Sequence, residues 1–417
     1  MTTRYRVEYA LKSHRRDEFI EWIKGLTAAP FVLHAGSGNH FLTGDAERFQ
    51  MEACRKYAEV FRDVEKLVVS QILAQEAGQP QLGRLRQLVP SIGCFFTSLP
   101  LERAFYVQDN KRAISKRRMV APSFNDIRLI LNTAQSMAQA LPAHRVQLVT
   151  FDGDVTLYDD GRNIEPGDPI VDRILALISQ GIYVGIVTAA GYPERTGKLY
   201  HTRLGVLLDA IASSDTIPVS YKSNLLIMGG ECNYMFRLNA SGKLDFIEKD
   251  LWAVPELLAW SNEDSNLLLE EAAALLSKLR THLGLESTTK VYRKERAVGI
   301  IPTCERGISR ESLEEIVLNC QHVLASNPLS QRVYFCAFNG GSDVWVDIGD
   351  KRYGVLSLQK YLGGIPSSRT LHVGDQFASI GANDFKARLA ACTVWVANPN
   401  ETVEILDELL AYLREQA

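Results

Sequence analysis

The sequence predicts an α/β fold in three parts, and three observations predict it. Apolar runs of strand length alternate with amphipathic helices through residues 144–194 and again through 340–417, as in an open sheet covered by helices. Residues 195–339 interrupt that alternation, which indicates an inserted α+β cap domain. Residues 1–143 carry helical periodicity alone and predict a mostly helical N-terminal domain. At 417 residues the chain exceeds one ordinary core, so several domains are expected.

Composition and charge exclude several classes of function. Hydrophobic residues make up 46% of the chain and charged residues 23%, which is ordinary for a globular protein. The 46 Lys and Arg nearly balance the 49 Asp and Glu, which argues against a protein that mainly coats nucleic acid. We expect no signal peptide and no membrane span, because no apolar run is long enough. The 7 cysteines are scattered without a CxxC spacing, which indicates reduced thiols in a cytoplasmic protein.

The N-terminal region shows helical patterns and two basic clusters, but no catalytic constellation. Apolar residues recur at helical spacing in residues 16–24 and, over a long stretch, in 47–75. A further helix should begin after Ser123, whose hydroxyl can cap it. The basic clusters consist of Lys12, His14, Arg15 and Arg16, and of Lys111, Arg112, Lys116, Arg117 and Arg118.

The basic clusters have two interpretations. Most charge runs are solvated faces of helices. Alternatively, Arg and Lys donors converge on the phosphate oxygens of a polyphosphate effector. On the second interpretation the candidate effector residues are Lys116, Arg117 and Arg118.

The core is organised around the stretch VQLVTFDGDVTLYDDG at 146–161. An apolar, β-branched run ends abruptly in Asp152, Gly153 and Asp154, and the ligands of open α/β sheets bind at such strand ends. Burying two acids this close together is costly without a partner, so a cation is expected. Hard Mg2+ with oxygen ligands fits best. The simpler interpretation is a strand followed by an Asx turn with solvated acids.

The remaining elements follow in order. A helix over 170–179 and a strand over 182–187 complete a right-handed βαβ unit, which sets Thr188 beside Asp152. Within the insertion we expect a helix over 263–285, an extended segment over 290–302, a helix over 310–326 and a strand over 331–338. The core then resumes with Lys351 after a tight turn. Its last elements are a strand over 370–373 followed by Asp375 and Asp384, a strand over 392–397 and a helix over 401–415.

Four short motifs occur in one order along these elements. They are DGDVT at 152–156, VTAAG at 187–191, Lys351, and GDQ with ND at 374–376 and 383–384. This order resembles the haloacid dehalogenase superfamily of phosphotransferases, which implies a haloacid dehalogenase-like Rossmannoid core. The resemblance implies that Asp152 is a nucleophile and that Asp154 is an acid/base. Because phosphate esters are anionic, Mg2+ and a lysine are needed to neutralise charge in the transition state.

The expected roles at this site follow from the resemblance. Thr188 and Lys351 hold the phosphoryl oxygens. The metal-binding residues are Asp152, Asp154 through its backbone carbonyl, and Asp375, with Asp384 as an outer or direct helper. Four signals in register predict a phosphotransfer site more strongly than any one of them does.

A closer resemblance covers nearly the whole chain. The segments TFDGDVTLYDDG, VTAAGYPERTGKLY, IMGGECNY and HVGDQFASIGANDFKAR are similar to the IMP-specific 5'-nucleotidase family of fungi and apicomplexan parasites. This resemblance implies Mg2+-dependent hydrolysis of inosine 5'-monophosphate (IMP) to inosine and phosphate, in purine nucleotide catabolism or salvage. It also implies that the helical N-terminal domain, residues 1–143, is regulatory, that ATP is an allosteric activator, and that the protein is a homo-tetramer. Asp160 and Asp343 match family positions that contact the nucleotide, although acids are common in such turns anyway.

Several alternatives stay open at this point. Tyr158, Trp345 and Phe377 are candidates for stacking on the base, but aromatics near turns are more often local packing. The segment around Lys351 also resembles phosphomannomutases, so a sugar-phosphate enzyme is a close rival. A nucleotide sensor without catalysis is a rival of another class, against which the intact acidic residues count.

Overall fold

The computed structural model of the chain describes residues 17–35, 46–305, 307–378 and 381–416. The first basic cluster, Lys12 to Arg16, lies outside these residues. The helices are α1 (Glu18–Ala35), α2 (Ala46–Glu76), α3 (Arg84–Leu88), α4 (Leu101–Arg112), α5 (Phe124–Ala140), α6 (Pro169–Ser179), α7 (Lys198–Ser213), α8 (Lys249–Trp252), α9 (Pro255–Leu258), α10 (Asn262–His282), α11 (Arg310–Ala325), α12 (Lys351–Tyr361) and α13 (Pro399–Glu415). The strands are β1 (Leu148–Phe151), β2 (Tyr183–Thr188), β3 (Leu225–Gly229), β4 (Tyr234–Leu238), β5 (Leu244–Ile247), β6 (Thr289–Arg293), β7 (Ala297–Pro302), β8 (Phe335–Asn339), β9 (Val344–Ile348), β10 (Thr370–Gly374) and β11 (Cys392–Trp395).

The chain divides into two compact units. The first comprises residues 1–145, 392–395 and 405–417, and the second comprises residues 146–391 and 396–404. All 7 cysteines lie among the described residues and none forms a disulfide. None of the described helices has the length and apolar character needed to cross a membrane.

The first unit is a helical assembly with its own core. Apolar side chains of α1, α2, α4 and α5, among them Tyr57, Phe61 and Phe105, are fully buried against one another. The predicted cap of α5 is present, because the Ser123 hydroxyl accepts from Asp126 N while the Asp126 carboxylate accepts from Ser123 N. Strand β11 joins this unit through Asn132, whose side chain bonds the N–H and the C=O of Trp395. Residues 392–395 and 405–417, which we predicted in the core, therefore group with the helical domain.

The second unit is built on a mixed sheet. Within the unit its strands run in the order β10, β1, β2, β3, β4, β5. The first four are parallel, and β4 and β5 extend the sheet as antiparallel strands. The predicted βαβ unit is confirmed, since α6 connects the parallel neighbours β1 and β2. All residues of β1 and nearly all of β2 are buried, as expected for strands covered on both faces.

A second, antiparallel sheet forms the inserted domain. Its strands run in the order β6, β7, β9, β8, and α10 and α11 cover its buried face. The predicted boundary at residue 195 differs from this arrangement, because α7 and strands β3 to β5 continue the core instead. At the other boundary, β9 extends the insertion beyond the predicted residue 339. The strand-helix alternation continues past residue 195, because α7 connects β2 to the parallel strand β3, and it ends only where β4 and β5 pair antiparallel.

Candidate active site

The carboxyl ends of three parallel strands bring the predicted residues together. Asp152 directly follows β1, Thr188 ends β2, and Asp375 directly follows β10. Because these strands are parallel neighbours, their ends meet at one edge of the sheet. Together with Asp154, the three side chains line a cavity of about 440 Å³. This volume lies in the range of small-molecule sites.

The loop after β1 is tightly constrained. A Cβ at Gly153 would lie 2.5 Å from the Tyr158 hydroxyl and 3.3 Å from Thr188 Oγ1, so a larger residue would force the strand ends apart. Val155 has φ of 61°, an unusual conformation for a β-branched residue. Its N–H donates to Tyr158 O at 2.7 Å and thereby closes the turn. Such strain costs on the order of 1–3 kcal/mol and clusters at functional sites.

Lys351 lies behind Asp152 and is fully buried. Its Nζ is 2.7 Å from Asp152 Oδ1 and 2.6 Å from Asp384 Oδ1. Burial alone would lower the pKa of Lys351, but the Asp152 and Asp384 carboxylates raise it above the usual range. Lys351 is therefore an ammonium that joins two carboxylates.

Helix α12 places this lysine at its first turn. Asp350 caps the helix by accepting from Tyr353 N at 3.3 Å. Gly354 lets the helix approach the end of β3, because a Cβ there would lie 2.2 Å from Glu231 O. Only glycine therefore fits at this position.

Asp384 is held from three directions. Besides Lys351, its Oδ1 bonds His372 Nε2 at 3.0 Å, and its Oδ2 accepts from Gln376 N at 2.9 Å. Burial opposes ionisation, yet Lys351 and His372 together bring the pKa of Asp384 down to about 2. Burial also lowers the pKa of His372, so the ring is neutral at pH 7. Since a carboxylate only accepts, His372 carries its proton on Nε2, and Nδ1 accepts from the Thr150 hydroxyl at 2.9 Å.

The carboxylates at the strand ends fit a divalent cation. Asp152, Asp375 and Asp384 offer oxygens that all lie within 4.8 Å of one another. Burial raises the pKa of Asp152 to about 7 even though Lys351 lowers it. Burial, followed by the charges of Asp152 and Asp384, raises the pKa of Asp375 well above its usual range. Three carboxylates around one ammonium leave an excess of negative charge, which a cation with oxygen ligands would balance.

The cavity contains two further acidic residues predicted from the sequence. Asp160, from the loop after β1, and Asp343, from the turn before β9, both line it. Burial raises the pKa of both carboxyls, and Asp154 adds to the effect at Asp160. Lys294 Nζ lies 3.9 Å from the Trp345 ring centroid, and both residues line the cavity. Carboxylate acceptors and an aromatic residue, Trp345, therefore line the same cavity as Asp152 and Asp154.

The three aromatic candidates end in different places. Trp345 lines the cavity, as the stacking hypothesis requires. The interpretation of Phe377 as a stacking residue is wrong, because its side chain is fully buried and its ring packs against His372 at 6.1 Å. Tyr158 is also buried, with its hydroxyl directed at Gly153.

Sequence reasoning missed several residues beside the site. Glu231, which directly follows Gly229 and Gly230 at the end of β3, is fully buried and accepts from Asn383 Nδ2 at 3.1 Å. Its φ is 64°, a second non-glycine residue with positive φ at a strand end. The double glycine after an apolar run was the available signal, but we assigned that run to the inserted domain. Arg203 on α7 also lines the cavity and carries no motif.

The second basic cluster lies in the first unit. Arg117 Nη2 is 2.8 Å from Asp126 Oδ2, and Arg112 Nε is 2.9 Å from Asp126 Oδ1. These arginines therefore support the cap of α5. Lys116 is exposed, and Arg118 is partly buried.

Comparisons with known proteins decide the family. A family model described as IMP-specific 5'-nucleotidase matches residues 1–406. The IMP-specific 5'-nucleotidase 1 of Yarrowia lipolytica is 55% identical over 417 residues, which cover 100% of this chain and 99% of that protein. The chain belongs to the IMP-specific 5'-nucleotidase family. Enzymes with this name are phosphoric monoester hydrolases.

Solved structures of a more distant family member support the same conclusion. An IMP-bound mutant of Plasmodium falciparum IMP-nucleotidase superposes with a TM-score of 0.81 at 29% identity, covering 95% of this chain and 96% of that one. The ATP-bound form of the Plasmodium falciparum protein gives a TM-score of 0.76 at 30% identity, with 97% and 86% coverage. The resemblance predicted from the sequence motifs is thus confirmed.

Proposed function

We propose that this protein hydrolyses IMP to inosine and phosphate, in purine nucleotide catabolism or salvage, through a phosphorylated Asp152. One observation carries the proposal. A single cavity brings together Asp152, Asp154, Thr188 and Asp375, with the buried ammonium of Lys351 directly behind Asp152. The substrate is inferred from relatives of the family, which are named for IMP.

The first step transfers the phosphoryl group. A carboxylate oxygen of Asp152 attacks phosphorus, and the bond between phosphorus and the ribose O5' breaks. Asp154, as a carboxylic acid, gives its proton to O5', so inosine leaves as a neutral alcohol. We propose that Thr188, which lines the cavity, holds a phosphoryl oxygen, and that the ammonium of Lys351 supports the negative charge on the phosphoryl oxygens from behind Asp152. Asp160 and Asp343 accept hydrogen bonds from the nucleoside.

The second step releases phosphate. Asp154 is now a carboxylate and takes a proton from a water molecule as that water attacks phosphorus. The bond between phosphorus and Asp152 breaks, and Asp152 returns to its carboxylate form. Asp154 is again protonated, so the cycle closes with one water consumed.

We assign Mg2+ to Asp152, Asp375 and the Asp154 carbonyl. When bound, the cation neutralises phosphoryl charge in the transition state. Asp384 supports the site from behind, because Lys351, His372 and Gln376 occupy its oxygens.

Regulation and assembly form a further part of the proposal. The ATP-bound Plasmodium falciparum relative supports ATP binding by this chain, and we propose that bound ATP activates it. We place Lys116, Arg117 and Arg118 among the candidate effector residues, and we expect a homo-tetramer in the cytoplasm. The phosphomannomutase-like and sensor alternatives are less favoured, because the full-length relatives are named for IMP.

A phosphate-release assay tests this function. We expect turnover on IMP to exceed turnover on AMP, GMP and hexose phosphates, to vanish with EDTA and to return with Mg2+. Asp152→Asn should lower turnover by at least about a thousandfold, since it removes the nucleophile but keeps the shape. Asp159→Asn, an exposed acid in the same loop, is the matched control. Substantial turnover by folded Asp152→Asn would contradict the covalent mechanism, and preference for a hexose phosphate would contradict the substrate.

A further inference from the structure

Arg203 is a cavity residue whose guanidinium meets the acid/base. It lies in α7, which begins after a glycine turn and passes beside the loop that follows β1. Its Nη1 is 3.2 Å from Asp154 Oδ1. The two side chains are 27% and 35% exposed, so both remain open to the cavity. No motif of the phosphotransfer site includes this arginine.

The contact is part of a clamp on one oxygen of Asp154. Gly161 N donates to the same Oδ1 at 3.1 Å. The backbone adds a second link, since Ile164 N donates to Arg203 O at 3.1 Å. The guanidinium carbon also lies 5.9 Å from the Tyr158 ring centroid. Helix α7 and the loop at 158–164 therefore grip Asp154 together.

The two donors distinguish the carboxylate oxygens of Asp154, because both bond Oδ1 and neither bonds Oδ2. Both donors contact Oδ1, so proton transfer to and from the substrate falls to Oδ2. A general acid must keep its proton within hydrogen-bond reach of the leaving oxygen, and a misplaced carboxyl loses much of its effect. The pair is partly buried, and the Arg203 guanidinium also contacts the Tyr158 ring and Arg162 O, so the donor beside Asp154 is held in one position.

We propose that Arg203 is the positioning residue of Asp154, fixing Oδ1 so that Oδ2 faces the leaving oxygen and then the attacking water. The inference rests on the acid/base role proposed for Asp154. It predicts that loss of Arg203 acts on catalysis through proton transfer, and that substrate affinity changes little.

The dependence of the rate on the leaving group distinguishes a positioning role of Arg203 from a role in substrate binding. IMP needs a proton on its leaving oxygen, whereas para-nitrophenyl phosphate releases an acidic phenol that needs little help. In single-turnover experiments, Arg203→Met should lower the rate of inosine release from IMP by about tenfold to a hundredfold, a part of what a general acid contributes. The rate of nitrophenol release should fall much less, and KM for IMP should stay nearly constant. Arg203→Lys, which keeps a cation on a shorter reach, should restore part of the rate on IMP.

Two variants serve as references. Arg195→Met removes an arginine whose ion pair with Glu248 lies outside the cavity, and it should leave both rates unchanged. Asp154→Asn should lose more on IMP than on para-nitrophenyl phosphate. If Asp154→Asn loses both rates equally, the acid/base role fails and this inference fails with it. If Asp154→Asn discriminates but Arg203→Met loses both rates equally, the acid/base role stands and the positioning role of Arg203 is overturned.

A third pattern also overturns the inference. A rise in KM for IMP without a change in the single-turnover rate would make Arg203 a substrate contact instead. Circular dichroism checks the fold of each variant. If Arg203→Met fails to fold, Arg203→Lys serves as the test. A positioning role requires that Arg203→Lys lose more of its rate on IMP than on the nitrophenyl ester.

Discussion

Lys351 shows how single residues set the charge of this site. A buried ammonium between two carboxylates is stable only because each partner is present, and removing one would leave an uncompensated buried charge. Lys351 meets Asp152 at 2.7 Å and Asp384 at 2.6 Å, and His372 bonds the far side of Asp384. Of the two carboxylates that contact Lys351, Asp384 is buried and Asp152 lines the cavity.

Glu231 is a buried carboxyl beside this network, and it should act as a neutral group. Burial raises its pKa well above the usual range, although Lys351 lowers it, so we predict that the carboxyl is neutral in the folded protein. Its Oε1 accepts from Asn383 Nδ2 at 3.1 Å, a bond that a Gln carbonyl can also make. Glu231→Gln should leave stability and kcat nearly unchanged. Glu231→Ala should lower the free energy of unfolding by about 1–3 kcal/mol, because Asn383 loses its partner.

Urea unfolding and phosphate release from IMP measure both variants of Glu231. If the Gln variant is as damaged as the Ala variant, the native carboxyl is ionised and balances the charge of Lys351. That result would contradict the neutral state.

Which site residues could be predicted depends on their position relative to strand ends. Asp152, Thr188 and Asp375 follow recognisable apolar runs, so their types and spacing identify them. Glu231 follows a strand just as clearly, but its strand joins the core sheet only through tertiary pairing that no local pattern reveals. Arg203 lies within α7, where the sequence has no motif that marks it, and only the packing of the helix brings its side chain to Asp154.

At the scale of elements, helix starts and strand ends place the important groups. The cap of α5 illustrates a start that depends on pH. Asp126 accepts from Ser123 N at 2.7 Å and pairs with Arg112 and Arg117. Burial opposes ionisation, but the Ser123 backbone N–H, Arg112 and Arg117 outweigh it and lower the pKa of Asp126. Because its pKa is lower in the folded state than in the unfolded state, the ionised Asp126 carboxylate stabilises the fold at pH values above the unfolded-state pKa. This contribution to stability is lost as the pH falls through the folded-state pKa.

Asp126→Asn should therefore destabilise the first unit in a pH-dependent way. At pH 7 we expect a loss of about 1–3 kcal/mol in the protection of α5 amides, because a charged cap is replaced by a neutral one. The difference in stability between parent and variant should begin to narrow below about pH 4, where the Asp126 carboxyl of the unfolded chain takes up a proton, and should narrow further as the folded carboxylate is protonated. Hydrogen exchange read by mass spectrometry measures α5 separately from the second unit. Asp63→Asn, which removes an exposed carboxylate paired with Lys66, is the control, and a gap constant with pH would contradict the charge argument.

The elements themselves were largely predictable, but their assignment to domains was not. Periodicity and caps located α5, α6 and α11 to within a residue or two. Strand β3 pairs parallel with β2, but the next two strands, β4 and β5, pair antiparallel at the edge of the sheet, so the strand-helix alternation ends after β3. Residues 198–247 therefore read as part of the insertion when they belong to the core sheet.

At the scale of the whole molecule, chemistry and candidate regulation lie in different units. Among the residues that the structure describes, the one cluster of carboxylates suited to a metal, Asp152, Asp375 and Asp384, lies in the second unit. The first unit has its own apolar core and the basic cluster around Lys116. An effector bound there can change turnover only by binding one conformation of the catalytic site better than another.

Reversal of charge in the basic cluster tests where ATP acts. Arg117 is unsuitable for this test, because its loss would also disturb the cap at Asp126. We therefore expect the double variant Lys116→Glu with Arg118→Glu to raise the ATP concentration for half-activation by about tenfold, as for lost charge-assisted bonds to phosphate. Its turnover on IMP without ATP should equal that of the parent, since both residues lie outside the unit that holds the acids.

A second double variant supplies the comparison for ATP. Lys56→Glu with Lys66→Glu changes the net charge of the first unit by the same amount on α2, away from the cluster in sequence. If both double variants shift half-activation equally, ATP responds to the overall charge of the unit and not to this cluster. If neither variant shifts it, Lys116 and Arg118 are excluded as effector residues. An absence of any ATP effect in the parent would remove the regulatory proposal while leaving the phosphatase mechanism intact, because Asp152, Asp154 and Lys351 would still form a complete catalytic set.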